Sequence, residues 1–283
     1  MKYVLVLFSF LWIGCQKEEQ PGPNPGLPEK TLTDIAYGGQ AAQKMDIYLP
    51  ANRSIPTTGV IILIHGGAWT TGDKSEFTEY VDTLKRRLPG YAIFNINYRL
   101  SVGGINTFPA QENDVKAAVE FIYSKRAEYQ VSEKFALLGA SAGAHLALLQ
   151  GYKYSSPVRV KAIVDFFGPV DMVDLYNNPA SPLIPSTLVA SIVGATPVSD
   201  PTLYQQSSPL NFVNAQSPPT LILQGGLDPL VAVSQSESLR DKLQAMGVVN
   251  QYFFYPLEGH GWVGANLTHS FDQVQAFLST YLN

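Results

Sequence analysis

Short unbroken apolar runs alternate along this chain with stretches in which apolar residues recur at helical spacing. Val60-Ile61-Ile62-Leu63-Ile64, Tyr91 to Phe94, Phe135 to Leu138, Val160 to Phe167, Thr220 to Leu223 and Gln251 to Tyr255 are four to eight residues long. They are rich in β-branched or aromatic side chains, the signature of strands buried on both faces. Between them Val115, Ala118, Val119 and Ile122 share one helical face, and Phe271, Val274, Phe277, Leu278 and Tyr281 mark a closing helix that starts at His269. Ser234-Gln235-Ser236-Glu237 reads as a capping box ahead of a helix ending at Gly247. This alternation predicts an α/β fold, a mainly parallel sheet with helices on both faces. Two strands near Thr31 to Tyr37 and Lys44 to Leu49 are expected to extend it as an antiparallel edge.

The interval from Asp171 to Pro218 fits the pattern least, because prolines at 179, 182, 185, 197, 201, 209 and 218 interrupt it. A compact domain seldom carries so long a connection without purpose, so residues 171–218 are expected to fold over the pocket as a small cap. At 283 residues with 46% hydrophobic content the chain can bury one large core, and residues 31–283 are read as one domain. The net charge of −4 and the lack of a long, concentrated Lys/Arg run argue against a nucleic-acid partner.

The N-terminus has its own pattern. Lys2, the apolar run Val4 to Ile13 and then Gly14-Cys15 read as an export signal too short to span a membrane. It resembles a bacterial lipoprotein signal, with Trp12 where such signals usually carry Leu. The resemblance implies a signal over residues 1–14 and lipidation of Cys15. Residues 15–30 then form a flexible tether, too poor in apolar residues to pack. It also implies a cell-envelope protein, held at an outer membrane and facing the periplasm or the surface. Cys15 is the chain's only cysteine, so an anchored protein has neither a disulfide nor a thiol nucleophile to use.

Gly139-Ala140-Ser141-Ala142-Gly143 joins an apolar strand to the helical pattern Ala144-His145-Leu146-Ala147-Leu148-Leu149. A serine between two glycines at a strand-to-helix junction has the form of a nucleophile elbow, in which side chains two residues either side of the serine would collide with their neighbours. Serine needs a base, and the chain has four histidines. His260, in Glu258-Gly259-His260-Gly261, has the loop setting and chain position to reach over the sheet edge. Asp228 follows a strand and gives the order Ser, Asp, His, with Asp171 as its rival. Glu258 and Asp165 are read as structural. The amide of Ala142, at a helix N-terminus, is a donor for an oxyanion. Trp69 is either a wall of the pocket or ordinary core.

His65-Gly66-Gly67-Ala68-Trp69 and Gly139-Ala140-Ser141-Ala142-Gly143-Ala144-His145-Leu146-Ala147 together resemble the esterase and lipase branches of the α/β-hydrolase family. Asn97-Tyr98-Arg99-Leu100, Asp114-Val115-Lys116 and Phe167-Gly168-Pro169-Val170-Asp171 are similar to its intermediate blocks. The resemblance implies that Gly67 and Ala68 complete the oxyanion hole and that no metal or organic cofactor is needed. Ala68 in place of a third glycine moves the likeness toward small carboxylesterases, feruloyl or acetyl-xylan esterases and arylformamidases. The expected activity is therefore hydrolysis of carboxylic esters of small acyl groups, on small molecules or polysaccharides, by Ser141, Asp228 and His260. An amide-cleaving relative and a non-catalytic surface-binding lipoprotein are the alternatives.

Overall fold

The computed structural model describes residues 26–282. The segment 1–14, Cys15 and most of the tether lie outside the described residues. Eight strands form one sheet: β1 (Lys30–Ala36), β2 (Lys44–Leu49), β3 (Val60–Ile64), β4 (Ala92–Ile96), β5 (Phe135–Ala140), β6 (Ala162–Phe166), β7 (Thr220–Gly225) and β8 (Asn250–Tyr255), in the spatial order β1-β2-β4-β3-β5-β6-β7-β8. β1, β2 and β4 pair antiparallel, while β4, β3, β5, β6, β7 and β8 run parallel, so the expected antiparallel edge is present.

Helices cover both faces, as the apolar runs require. On one side α2 (Ala110–Tyr129), α3 (Ala142–Lys153) and α7 (Val233–Ala245) pack on Ile62, Ile64, Leu137 and Ile222. On the other α1 (Thr78–Arg87) and α8 (Gly264–Tyr281) pack on Ile61, Leu63, Leu138 and Val164. Every residue of β3 is fully buried, and each such aliphatic side chain contributes about 1.5–3 kcal/mol relative to exposure. β8 departs from the expectation of burial on both faces: it is an edge strand with a neighbour on one side only, and Phe254 is 46% exposed. The closing helix begins at Gly264, which places His269 in its second turn rather than at its start.

The Ser234 capping box does not form either. α7 starts at Val233 after Ala232, with no side-chain cap. Tertiary partners claim the polar side chains instead. Ser236 Oγ donates to Gln224 Oε1 at 2.7 Å, and Gln235 Oε1 accepts from the N–H groups of Val170 and Asp171, both at 2.8 Å. Gln235 Nε2 also donates to Asp174 at 2.7 Å, tying α7 to the start of the proline-rich interval. That interval contains α4 (Met172–Asn177), α5 (Ser186–Val193) and α6 (Pro201–Ser207), whose Met172, Leu175, Val189, Ile192 and Tyr204 join the core on the α3 side.

Candidate active site

The sheet brings its chemistry to the C-terminal ends of β3, β5, β7 and β8. β5 ends at Ala140 and α3 begins at Ala142, leaving Ser141 in the turn with φ 55° and ψ −122°. A non-glycine residue there stores about 1–3 kcal/mol of strain. Its N–H donates to Phe166 O at 2.8 Å and its carbonyl accepts from His145 N–H at 3.0 Å. The glycines are sterically required: a Cβ on Gly139 would strike the backbone of Gly143 and Ala144, and one on Gly143 the carbonyls of Ile64 and His65.

The loop after β3 has positive φ at three consecutive residues, 99° at Gly67, 48° at Ala68 and 60° at Trp69, and the last two are strained there. Gly67 O holds it together, accepting from Thr70 and Thr71 N–H at 3.0 Å and from Thr71 Oγ1 at 3.1 Å. Tyr98 OH lies 2.9 Å from His65 O and 3.0 Å from Gly66 O, and its ring stacks on His65 at 4.3 Å. Among the described residues the N–H groups of Gly67, Ala68 and Ala142 donate to no partner. Ala142 also stands at the positive end of a twelve-residue helix. Unpaired N–H groups are rare in folded proteins except where a ligand or water takes them.

Asp228 follows β7 and is 8% exposed. Its Oδ1 accepts from Leu230 N–H at 2.8 Å and Val231 N–H at 3.0 Å; its Oδ2 lies 2.8 Å from His260 Nδ1 and 3.4 Å from Gln224 Nε2. A carboxylate with those donors fixes the proton on Nδ1 and leaves the lone pair on Nε2. The loops carrying the two residues are laced together. Leu227 N–H donates to Glu258 O at 2.8 Å, and a Cβ on Gly225 would strike Gly259 O. The Phe167 ring lies 4.5 Å from that of His260.

Ser141 and His260 open on one cavity of about 350 Å³. Gly67, Ala68 and Trp69 line one side of it, Leu230 and Val231 another, and Leu175 and Ile184 of the 171–218 interval join them. Trp69 is both wall and core: it faces this cavity, is 5% exposed and packs edge-on against His145 at 4.9 Å.

The other candidates are committed elsewhere. Asp171 caps α4, accepting from Val173 N–H at 2.9 Å and Asp174 N–H at 3.0 Å. Glu258 accepts from Asn266 at 2.6 Å. Burial lowers the pKa of His65 and brings that of His145 down to about 4, while His145 Nε2 donates to Ser207 O at 2.7 Å. His269 lies 3.0 Å from Tyr255 OH. Sequence reasoning missed Gln224, Phe167 and the Tyr98 stack; Gln224, a polar residue ending an apolar strand beside Gly225-Gly226, was the readable signal among them.

Known proteins are similar to this chain in fold and sequence. A carbohydrate esterase from gut microbiota superposes with a TM-score of 0.78 at 27% identity, over 92% of this chain and 99% of that one, so the fold is the α/β-hydrolase fold. Esterase LipQ of Mycobacterium tuberculosis is 29% identical over 244 residues, covering 80% of this chain and 56% of its own. The chain spans only 51% to 59% of the length of three such mycobacterial relatives. Kynurenine formamidase of Meyerozyma guilliermondii is 30% identical over 247 residues, 82% of this chain and 86% of that protein. The BD-FAE family model matches residues 45–243, which take in the loop after β3, the elbow and Asp228, and on that match the chain belongs to the BD-FAE family.

Proposed function

We propose that this chain is a serine hydrolase that cleaves carboxylic esters of small acyl groups through an acyl-enzyme. The observation that carries the reading is the Asp228 to His260 contact of 2.8 Å, made on the rim of the cavity that also holds Ser141. His260 Nε2 takes the proton of Ser141 as Oγ attacks the ester carbonyl, and Asp228 stabilises the imidazolium. The oxyanion receives the free N–H groups of Gly67, Ala68 and Ala142, donors each worth roughly 10²- to 10³-fold in kcat in comparable sites. Collapse breaks the ester bond, the imidazolium protonates the departing alcohol, and water, activated by His260, releases the acid.

A fluorophosphonate probe tests the reading. It labels the wild type at Ser141, and Ser141→Ala abolishes both labelling and turnover of p-nitrophenyl acetate. Labelling that persists in the variant removes Ser141 from the mechanism, and an unlabelled wild type supports the non-catalytic binder. The carbohydrate esterase likeness favours acyl groups carried on a polysaccharide, and acetylated xylan belongs in the substrate panel. The formamidase likeness favours a second reading, cleavage of an aryl formamide, which turnover of N-formylkynurenine decides.

Two wider features belong to the same proposal. Residues 171–218 act as a cap, supported by Leu175 and Ile184 on the cavity wall. Cys15 anchors the domain to the cell envelope, supported by the signal-like segment before it. Fractionation of cells expressing Cys15→Ser tests the anchor: the protein leaves the membrane fraction.

A further inference from the structure

Asp165 lies in β6, fully buried, with Gly139 of β5 and Ile222 of β7 as its strand partners. Its Oδ1 accepts from Gly168 N–H at 2.7 Å, while Oδ2 has no partner among the described residues. Its two strand partners carry no charge. Its own charge bears on Tyr152 of α3, whose hydroxyl is shared with Thr220 at 2.8 Å. Burial pushes the Asp165 carboxyl up to about 7. A polar group so incompletely partnered is unfavourable in a core strand unless it does something there.

What it fixes is the turn that follows. Phe167 has φ 46°, a conformation bulky residues seldom adopt, and its N–H is held by Leu223 O at 2.9 Å. Gly168 leaves no room for rearrangement, since a Cβ there would come within 2.7 Å of both Ala144 Cβ and Asp165 Oδ1. This backbone sets the Phe167 ring 4.5 Å from His260, inclined at 53°, with Trp262 edge-on to it at 5.5 Å. Asp228 is bonded to Nδ1 of the same imidazole.

We propose that Asp165 is a positioning residue for His260: through the Gly168 N–H it holds Phe167 in its left-handed conformation, and the Phe167 ring sets the tilt of the imidazole. The proposal rests on the reading of His260 as the base. It differs from that reading in assigning work to a carboxyl that touches neither the histidine nor the cavity.

The test compares Asp165→Val, Asp165→Asn, Phe167→Leu and the double variant Asp165→Val/Phe167→Leu. Active sites are counted first with the fluorophosphonate probe, and the His260 ring C–H signals are followed by NMR, where the Phe167 ring current displaces them. Asp165→Val and Phe167→Leu each lower kcat about tenfold with KM within about twofold, as expected for a misplaced rather than missing base. The double variant falls no further than either single one, because both act on one path. Asp165→Asn, which keeps an acceptor for Gly168, stays within about twofold of the wild type, and its His260 signals do not move. Full kcat in Asp165→Val or Phe167→Leu, multiplied losses in the double variant, or an Asp165→Asn as impaired as Asp165→Val overturns the proposal. Should Asp165→Val fail to fold, Phe167→Leu and Asp165→Asn decide it alone. A wild type that does not react with the probe overturns the esterase reading instead, and the His260 signals then settle the positioning without reference to turnover.

Discussion

The two halves of the site are built by different physics. On the side of the proposed nucleophile Ser141, Ala68 and Trp69 hold strained backbone with positive φ beside Gly67, wedged by glycines whose Cβ positions are already occupied. On the side of the proposed base Asp228 and His260 are held by hydrogen bonds between loops more than thirty residues apart. Strain acts between neighbours in the chain, so it is written in short motifs. Hydrogen-bond scaffolding depends on which loops the sheet brings together, so its supporting residues are scattered.

The comparison breaks most visibly in turnover. Ser141→Ala lowers kcat by roughly 10⁴ to 10⁶ with the fold intact, since binding and the oxyanion donors supply the residual rate. On the other half Asp228→Asn costs about 10⁴ by favouring the wrong imidazole tautomer. Asp171→Asn leaves kcat unchanged and touches only the α4 cap. Steady-state kinetics on the three variants ranks them, and a large loss in Asp171→Asn moves the acid to that residue.

Next in size is an opposition in pH dependence. His145, beneath the nucleophile loop, has its folded pKa lowered from 6.5 to about 4, so the unfolded chain binds the extra proton and stability falls as pH drops from about 6.5 to 4. Asp165, in β6, has its folded pKa raised from 3.8 to about 7, so the folded chain holds the extra proton and stability falls as pH rises from about 4 to 7. Each contribution is on the order of a few kcal/mol and the two have opposite slopes. Urea denaturation at pH 4.5, 5.5 and 6.5 checks this: His145→Gln makes stability decline with rising pH, and Asp165→Asn makes it climb.

Glycine substitutions separate the halves at a smaller scale. Gly143→Ala forces a methyl against the Ile64 and His65 carbonyls and destabilises the fold by about 3 kcal/mol. Gly225→Ala pushes against Gly259 O and spreads the two loops of the base side. Its loss appears in kcat more than in melting temperature. The smallest effect is at Gln224. Gln224→Leu removes a donor from Asp228 and leaves Ser236 Oγ unpaired, and kcat falls about tenfold. Equal melting temperatures and unchanged kcat in that variant would show that Leu230 and Val231 suffice to hold the acid.

The same contrast explains what could be read from the sequence. The elbow, the His65 to Trp69 loop and the strands were legible because sterics and apolar runs act within a few residues; β3 has the expected bounds and β4 and β6 lie within two residues of theirs. Asp228 and His260 were legible only as types at the right place in chain order, beside Asp171, whose side chain accepts two N-cap bonds in the structure. Ser234-Gln235-Ser236-Glu237 misled because a local capping pattern lost its side chains to distant partners, Gln224 and Val170 among them. β8 misled because an apolar run does not say whether a strand has one neighbour or two. Phe167 was invisible, since nothing local marks an aromatic residue as one that leans on a histidine.

The grip of Gln235 on Val170, Asp171 and Asp174 gives the molecule a natural place for change. α4 is pinned at its root and α5 is anchored by Val189 and Ile192, while the stretch between them is largely open to solvent, with Leu183 65% exposed, and lends Ile184 to the cavity wall. Lengthening such a span twofold costs only about 0.6 kcal/mol of closure entropy. Under the proposed function, this stretch is therefore where the cavity wall can be lengthened at little cost, leaving the elbow and the laced loops as an unaltered chassis.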